Sequence, residues 1–313
     1  ESKRHKNKMS IVWLYAVCPV IGYFTYQYSV ASYGPLCALV LSIIVAYLPT
    51  YPITDHLSKH GGLKSKWVQT FPAFCQHFQK LLNGSVSLEA ELDHEKPYIF
   101  GSFPHGTCSV NHMLTMTDAC GMLTKHHKGD RRDLAASVLF LIPIVKEILL
   151  LLGCVDASSA TCHYNLKRGR SILVFVGGEK EQLLTEPGSH KIYLLNRKGF
   201  VKLALQYGCD LVPMYAFGEN EAYETSHFLA DFRNWLQHKF KLGIPIFFGR
   251  HGMPFGLVPK KVSVGVEVGK PIPVRKLEKA QITDKDIDAL HAQFVLEMRR
   301  LFERTKARHG VDE

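Results

Sequence analysis

The chain has 313 residues, enough for one large domain or two ordinary ones. Apolar residues make up 46% of it, which supplies a packed core and excludes a disordered chain. The formal net charge of +10 favours partners carrying phosphate or anionic lipid, while eight cysteines without a C-x-x-C pair or zinc-ligand spacing exclude a structural metal or a dense disulfide scaffold.

The first predicted element is hydrophobic. From Ile11 to Thr54, 44 residues include no Asp, Glu, Lys, Arg or His, which argues against a wholly soluble chain. At ~1.5 Å per residue one helix of that length would measure ~66 Å, about twice the ~30 Å hydrocarbon thickness of a bilayer. A polar, Gly-Pro-containing turn from Gln27 to Pro35 separates two apolar arms, Ile11 to Tyr26 and Leu36 to Leu48. Each arm is short for a full crossing, so a hairpin that dips in and returns competes with two spans. Lys3, Arg4, Lys6 and Lys8 precede the stretch and Lys59, Lys64 and Lys66 follow it, which predicts both ends on the cytosolic face. No small-residue cleavage site stands out, so the stretch reads as an anchor and not a signal peptide. The chain begins with Glu1, so preceding residues are expected. The predicted organisation is a basic tail and membrane-embedded hydrophobic hairpin over residues 1–54, then a cytosol-facing α/β domain over 55–313.

Within that domain, strand-like runs are Pro97 to Gly101, Ser171 to Val176, Leu211 to Phe217 and Ile244 to Phe248. Lys261 to Gly269 alternates Val262, Val264, Val266 and Val268 with Ser263, Gly265 and Glu267, predicting a strand with one apolar face. Ser137 to Val155 is nearly all apolar but carries Lys146-Glu147 at its centre. It reads equally as an interfacial helix or a buried one. Phe200, Leu203, Ala204 and Tyr207 share a helical face that Gly208 ends. Ile287, Leu290, Phe294, Met298, Leu301 and Phe302 predict a final helix, with Thr283 as N-cap and Gly310 beyond it. Strands alternating with helices imply a mainly parallel sheet flanked by helices.

Two predicted strand ends carry candidate chemistry. The first runs into Phe103-Pro104-His105-Gly106-Thr107, where a turn histidine suits a general base and the following N–H groups suit an oxyanion. The second runs into Val176-Gly177-Gly178, whose glycines permit close backbone approach, with Glu181 placed to orient a histidine from a neighbouring strand. Arg197, Lys198 and Lys202 suit phosphate at a helix start. Glu219 and Asn220 sit where open α/β sheets bind ligands.

In this order, Phe103-Pro104-His105-Gly106, Val176-Gly177-Gly178-x-x-Glu181, Arg197-Lys198-Gly199-Phe200-Val201-Lys202, Val212-Pro213-x-x-x-Phe217-Gly218-Glu219-Asn220 and Val268-Gly269-x-Pro271-Ile272 resemble the type 2 diacylglycerol acyltransferase family, which includes monoacylglycerol and wax-alcohol acyltransferases. The resemblance runs from the hydrophobic hairpin to the final helix. It implies a glycerolipid-acyltransferase-like fold and an enzyme of lipid biosynthesis in the endoplasmic reticulum membrane or on lipid droplets, with its catalytic domain cytosolic. It also implies acyl transfer from acyl-CoA to diacylglycerol, with no metal or redox cofactor and no nucleic-acid partner. His105 is the expected base and Glu181 holds its tautomer. Phe103, Pro104, Gly106, Gly177, Gly178, Glu219 and Asn220 line the substrate, and Arg197, Lys198, Lys202 and Arg250 meet CoA phosphates. The family pattern is His-Pro-His-Gly, and Phe103 stands in the first histidine's place. The superfamily's Asp five residues after the histidine is here Val110, and Asp118 follows His112 at a spacing of six. Acceptor choice depends on pocket shape, so monoacylglycerol or wax-alcohol transfer, or a catalytically weak lipid- or CoA-binding homologue, remain alternatives.

Overall fold

β-Branched and aromatic runs bounded by glycine and polar turns form the central strands of the sheet, as their propensity dictates. The structure, a computed structural model, describes residues 18–27, 34–226, 239, 246–250, 252 and 258–311. Nine strands are described: β1 (Ser85–Leu88), β2 (Tyr98–Phe103), β3 (Arg131–Ala135), β4 (Cys154–Asp156), β5 (Ser171–Phe175), β6 (Asp210–Phe217), β7 (Glu224–Thr225), β8 (Phe247–Phe248) and β9 (Gly265–Val268). Seven of them make one sheet in the order β1-β9-β6-β2-β5-β3-β4, and β7 pairs with β8 apart from it. β6, β2, β5, β3 and β4 run parallel. β9 pairs antiparallel with β6 and parallel with β1. The sheet is mainly parallel and flanked by helices, with a single antiparallel joint.

Both sheet faces are covered. On one, Ile99, Phe103, Ile172 and Leu211 pack against Val201, Phe294 and Leu301 of the helices Gly199–Tyr207 and Asp284–Thr305. On the other, Phe100, Leu173, Val212 and Val266 pack against Leu82, Leu114 and Met122. Burying each such side chain contributes roughly 1.5–3 kcal/mol. The final helix starts on Thr283, whose hydroxyl accepts the Asp286 N–H while Asp286 accepts the Thr283 N–H. Gly208 and Gly310 end their helices with left-handed backbone.

Two expectations change. β9 covers only Gly265–Val268 and is buried on both faces: Glu267, expected on a polar face, is held by His309 at 2.9 Å. The run at Ile244 to Phe248 contributes β8, and residues 244–245 lie outside the described residues.

At the N-terminal side, residues 18–27 are helical, Pro35–Tyr47 and Thr50–Lys59 are helices, and the expected turn lies largely at 28–33, outside the described residues. A Cβ on Gly22 would touch Ala46 and Ser42, so the first two helices pack on small residues. No single described helix is long and apolar enough to cross a membrane. Pro35–Tyr47 and Thr50–Lys59, bent by 41°, meet that test only together. The second of these helices carries the chain across the 54/55 position. A third apolar cluster of Met116, Phe140, Leu150 and Leu152 takes in Leu57 and Val68, and so ties this region to the sheet domain.

Candidate active site

The ends of three adjacent parallel strands build the site. β2 lies between β5 and β6, with Ser102 opposite Phe175 and Phe103 opposite Tyr215. Their carboxyl ends therefore bring the turn Pro104–Asn111, the Gly177-Gly178 turn and the Gly218-Glu219-Asn220 turn to one rim. The Phe103–Pro104 bond is cis, and Gly106 takes a φ of +61°.

A tight turn leaves backbone N–H groups without partners, and buried ones need acceptors. Two glutamates supply them. Glu181, 3% exposed, accepts the N–H of His105 on Oε1 and that of Tyr193 on Oε2. Glu219, 1% exposed, accepts the N–H of Val110 at 2.9 Å and both the N–H and the side-chain amide of Asn111 at 2.7 Å. Burial pushes the Glu219 carboxyl up to about 7 against the pull of these donors, and burial raises Glu181 in the same way. Gln182 adds a third tie, donating to the Thr107 carbonyl at 2.7 Å.

His105 sits half-buried in this clamp. Its Nδ1 lies 2.9 Å from the Gly106 carbonyl, which can only accept, so Nδ1 carries the proton and Nε2 the lone pair. Among the described residues nothing bonds Nε2. Burial lowers the ring below its ordinary value, opposed by the bond to Gly106 and aided by His112. The ring stands edge-on to Phe175, with centroids 5.4 Å apart.

Several expectations are corrected by this geometry. Glu181 bonds the backbone of His105 and not its ring; the Gly106 carbonyl sets the tautomer instead. Phe103, 0% exposed, points into the core with Ile99 and Phe294, because alternate residues of β2 face opposite sides of the sheet. Glu219 spends its oxygens on the turn, and Asn220 donates to the Ser189 carbonyl at 2.6 Å. Pro104, Gly106, Gly177 and Gly178 shape the turns: a Cβ on Gly106 would strike Glu219 and one on Gly177 would strike Glu181.

The basic residues divide. Arg197 donates to the Gly177 carbonyl at 2.9 Å. Exposed Lys198 pairs with Asp288 at 2.6 Å, and Lys202 shares a depression with Asp284 and Asp288, whose charge opposes a phosphate. Arg250 lines another depression with Lys80, Asn83, Lys261 and Ser263, without a carboxylate among the described residues. Because β9 runs against β6, with Gly265 opposite Phe217, this depression lies towards the end of the sheet at which β6 finishes. Lys80 and Lys261 were not legible as site residues, since neither stands in a motif.

His112 was read against Asp118, and its true partner on β3 was missed. His112 Nε2 lies 2.9 Å from Asp133, which Arg131 grips at 2.7 and 3.0 Å. Asp118 instead accepts the N–H groups of Leu123 and Thr124. No group of three or more His, Cys, Asp or Glu side chains among the described residues is placed to hold a metal.

The family model described as diacylglycerol acyltransferase matches residues 35–313. The chain is 32% identical to diacylglycerol O-acyltransferase 2 of Bos taurus over 334 aligned residues, 98% of this chain and 92% of that one. It is 33% identical to the Mus musculus protein of the same name, over 97% of this chain and 78% of that one. It is 29% identical to human 2-acylglycerol O-acyltransferase 1, over 87% and 84%. A solved structure, the 1-acyl-sn-glycerophosphate acyltransferase of Thermotoga maritima, covers 96% of this chain and 98% of its own at 13% identity and a TM-score of 0.43, too remote to bear an argument.

Proposed function

The chain belongs to the diacylglycerol acyltransferase family, and from that premise we propose that it moves a fatty acyl group from acyl-CoA to the free hydroxyl of diacylglycerol, with His105 as general base. The observation that carries this reading is the open Nε2 of His105 at the carboxyl end of the central strand, its other nitrogen fixed by Gly106. Nε2 takes the hydroxyl proton as that oxygen attacks the thioester carbonyl, and the proton passes to the departing CoA sulfur. The thioester is already activated, so no acyl-enzyme is needed. The N–H groups of Gly106 and Thr107, between those bound by the two glutamates, are the donors for the oxyanion. Arg250, with Lys80 and Lys261, is the favoured contact for CoA phosphates, since Lys198 is already paired.

The same reading seats the chain in the endoplasmic reticulum membrane, with residues 1–54 as anchor and 55–313 facing the cytosol. Leu36, Leu39, Val40, Ile43 and Ile44 on one helix, and Ile142, Ile144 and Ile148 beside it, expose apolar side chains that suit lipid. The test is turnover of the detergent-purified chain with labelled acyl-CoA and diacylglycerol, monoacylglycerol or a long-chain alcohol. Triacylglycerol is the expected main product. His105→Ala should lower turnover roughly 10²–10⁴-fold. The acid limb of kcat/KM should lie below the ordinary imidazole value of about 6.5, because burial disfavours the protonated ring. No ester from any acceptor, or an unimpaired His105→Ala, overturns the proposal.

A further inference from the structure

The site holds a carboxylate–imidazole pair, but it is built around His112 and not His105. His112 lies on the short helix Asn111–Met116, is 8% exposed, and its Nε2 lies 2.9 Å from Asp133 on β3. An ionised carboxylate only accepts, so Nε2 carries a proton. Arg131 grips Asp133 through Nε and Nη2, and Nη2 also donates to the Thr115 carbonyl of the helix that carries His112. Burial by itself would raise the Asp133 carboxyl, but Arg131 and His112 hold it well below the usual carboxylate range. The His112 ring stands edge-on to Phe175 with centroids 5.2 Å apart, and His105 stands edge-on to the same Phe175 at 5.4 Å. One phenylalanine ring of β5 therefore carries both imidazoles.

We propose that His112, held by Asp133, is a positioning residue for acyl transfer: packed on the same Phe175 as His105, it keeps the His105 ring neutral and its Nε2 lone pair available. Like charges disfavour each other at short range, so a proton on the His112 ring opposes one on His105. The other groups facing His105 do not supply this effect. From the β5 side Glu181 bonds the His105 backbone, with Arg197 beyond it at the Gly177 carbonyl. From the β6 side Glu219 bonds the end of the turn. Burial drives both carboxyls towards their neutral forms, and desolvation pushes the thiol of Cys108 on the turn up to about 12. Around His112 stand Asp133, Arg131 and Cys154, whose thiol burial raises well above its ordinary value. His112 in turn lowers the His105 ring, after burial.

The inference rests on His105 being the base, and its test separates the two. His112→Gln keeps an amide donor to Asp133 without a ring that can take a second proton. Asp133→Asn keeps an acceptor for Nε2 without the carboxylate that favours a charged ring. Both variants, and the pair combined, are made in the full chain in detergent. Two readouts are taken: the acid limb of kcat/KM, and the pH midpoint of diethyl pyrocarbonate modification at His105 followed by peptide mass spectrometry. The second readout needs no turnover. His112→Gln should move the midpoint and the acid limb up by about 0.5–1 pH unit. Asp133→Asn, which also strips the charge that matches Arg131, should move them up by less, and the double variant no higher than His112→Gln. A fall in kcat with both midpoints unmoved reduces His112 to a structural role and overturns the proposal. Loss of activity as deep as that of His105→Ala, with the modification midpoint unmoved, also overturns it and makes His112 the base. A parent chain without turnover sinks the acyl-transfer reading alone, since the modification midpoint still decides whether His112 acts on His105.

Discussion

A Cβ at Gly106 would overlap the Glu219 carboxylate, and Gly106 already holds a left-handed φ of +61°. Gly106→Ala should therefore cost about 1–2 kcal/mol from the backbone, with further loss from displacing Glu219. Turnover should fall with it, and thermal unfolding beside steady-state kinetics checks both. Gly177 is the counterpart on the other side, keeping room for Glu181. Phe103 has a different fate from a family histidine. Its ring is fully buried with Ile99 and Phe294, so Phe103→His places an imidazole among apolar groups. That should cost about 1–3 kcal/mol, lower the melting temperature, and leave one ionisation in the pH profile. A gain in turnover with a second ionisation would place residue 103 in the reaction after all. The residue types at 105, 106, 177, 181 and 219 were legible from the sequence. Their bonds were not, because a glutamate can reach a histidine ring or its backbone at one and the same spacing.

At the scale of elements, the rim gathers groups from strands that the sequence keeps far apart. Arg250, Lys80 and Lys261 meet only because β1 and β9 run against β6 and so start where β6 ends. Lys261→Ala or Arg250→Ala should raise KM for acyl-CoA roughly 3- to 10-fold, with a smaller change in kcat, as expected for an exposed charge-assisted contact. Lys198→Ala should do less, since Asp288 already holds that ammonium group. Equal effects from all three substitutions, measured over a range of acyl-CoA concentrations, would return Lys198 to the phosphate site. β3 was invisible for a related reason. Arg131, Arg132 and Asp133 look like a solvated run, yet all three are buried. Arg132 donates to the Gly61 carbonyl and pairs with Asp130, as Arg131 pairs with Asp133, so each charge is matched within the fold.

Over the whole molecule, a buried lysine adds a polar link to the apolar cluster that joins the N-terminal helices to the sheet domain. Lys146 Nζ donates to Thr50 Oγ1 at 2.9 Å and stands 3.4 Å from the Tyr51 ring centroid, while Tyr47 donates to Glu147. The charged pair that made Ser137 to Val155 hard to read is thus satisfied by the helices it packs on, and Leu141, Ile142, Ile144 and Ile148 stay exposed. If the bent helix pair is an anchor with basic residues on both sides, both flanks should face the cytosol. In sealed microsomes, protease should then reach the chain before residue 11 and after residue 55 alike, and Asn83 should carry no glycan. Protection of one flank alone would refute that topology. Composition and periodicity by themselves determined the α/β class, the strands β2, β5 and β6 to within two residues at each end, the capped final helix and the hydrophobic start, because propensity, capping and amphipathic period act within a few residues. The tertiary structure alone decided which oxygen meets which N–H, that β9 turns antiparallel, that Phe103 faces the core, and that His112 finds Asp133 21 residues away. Those outcomes depend on strand order and burial, which only the folded chain brings into being.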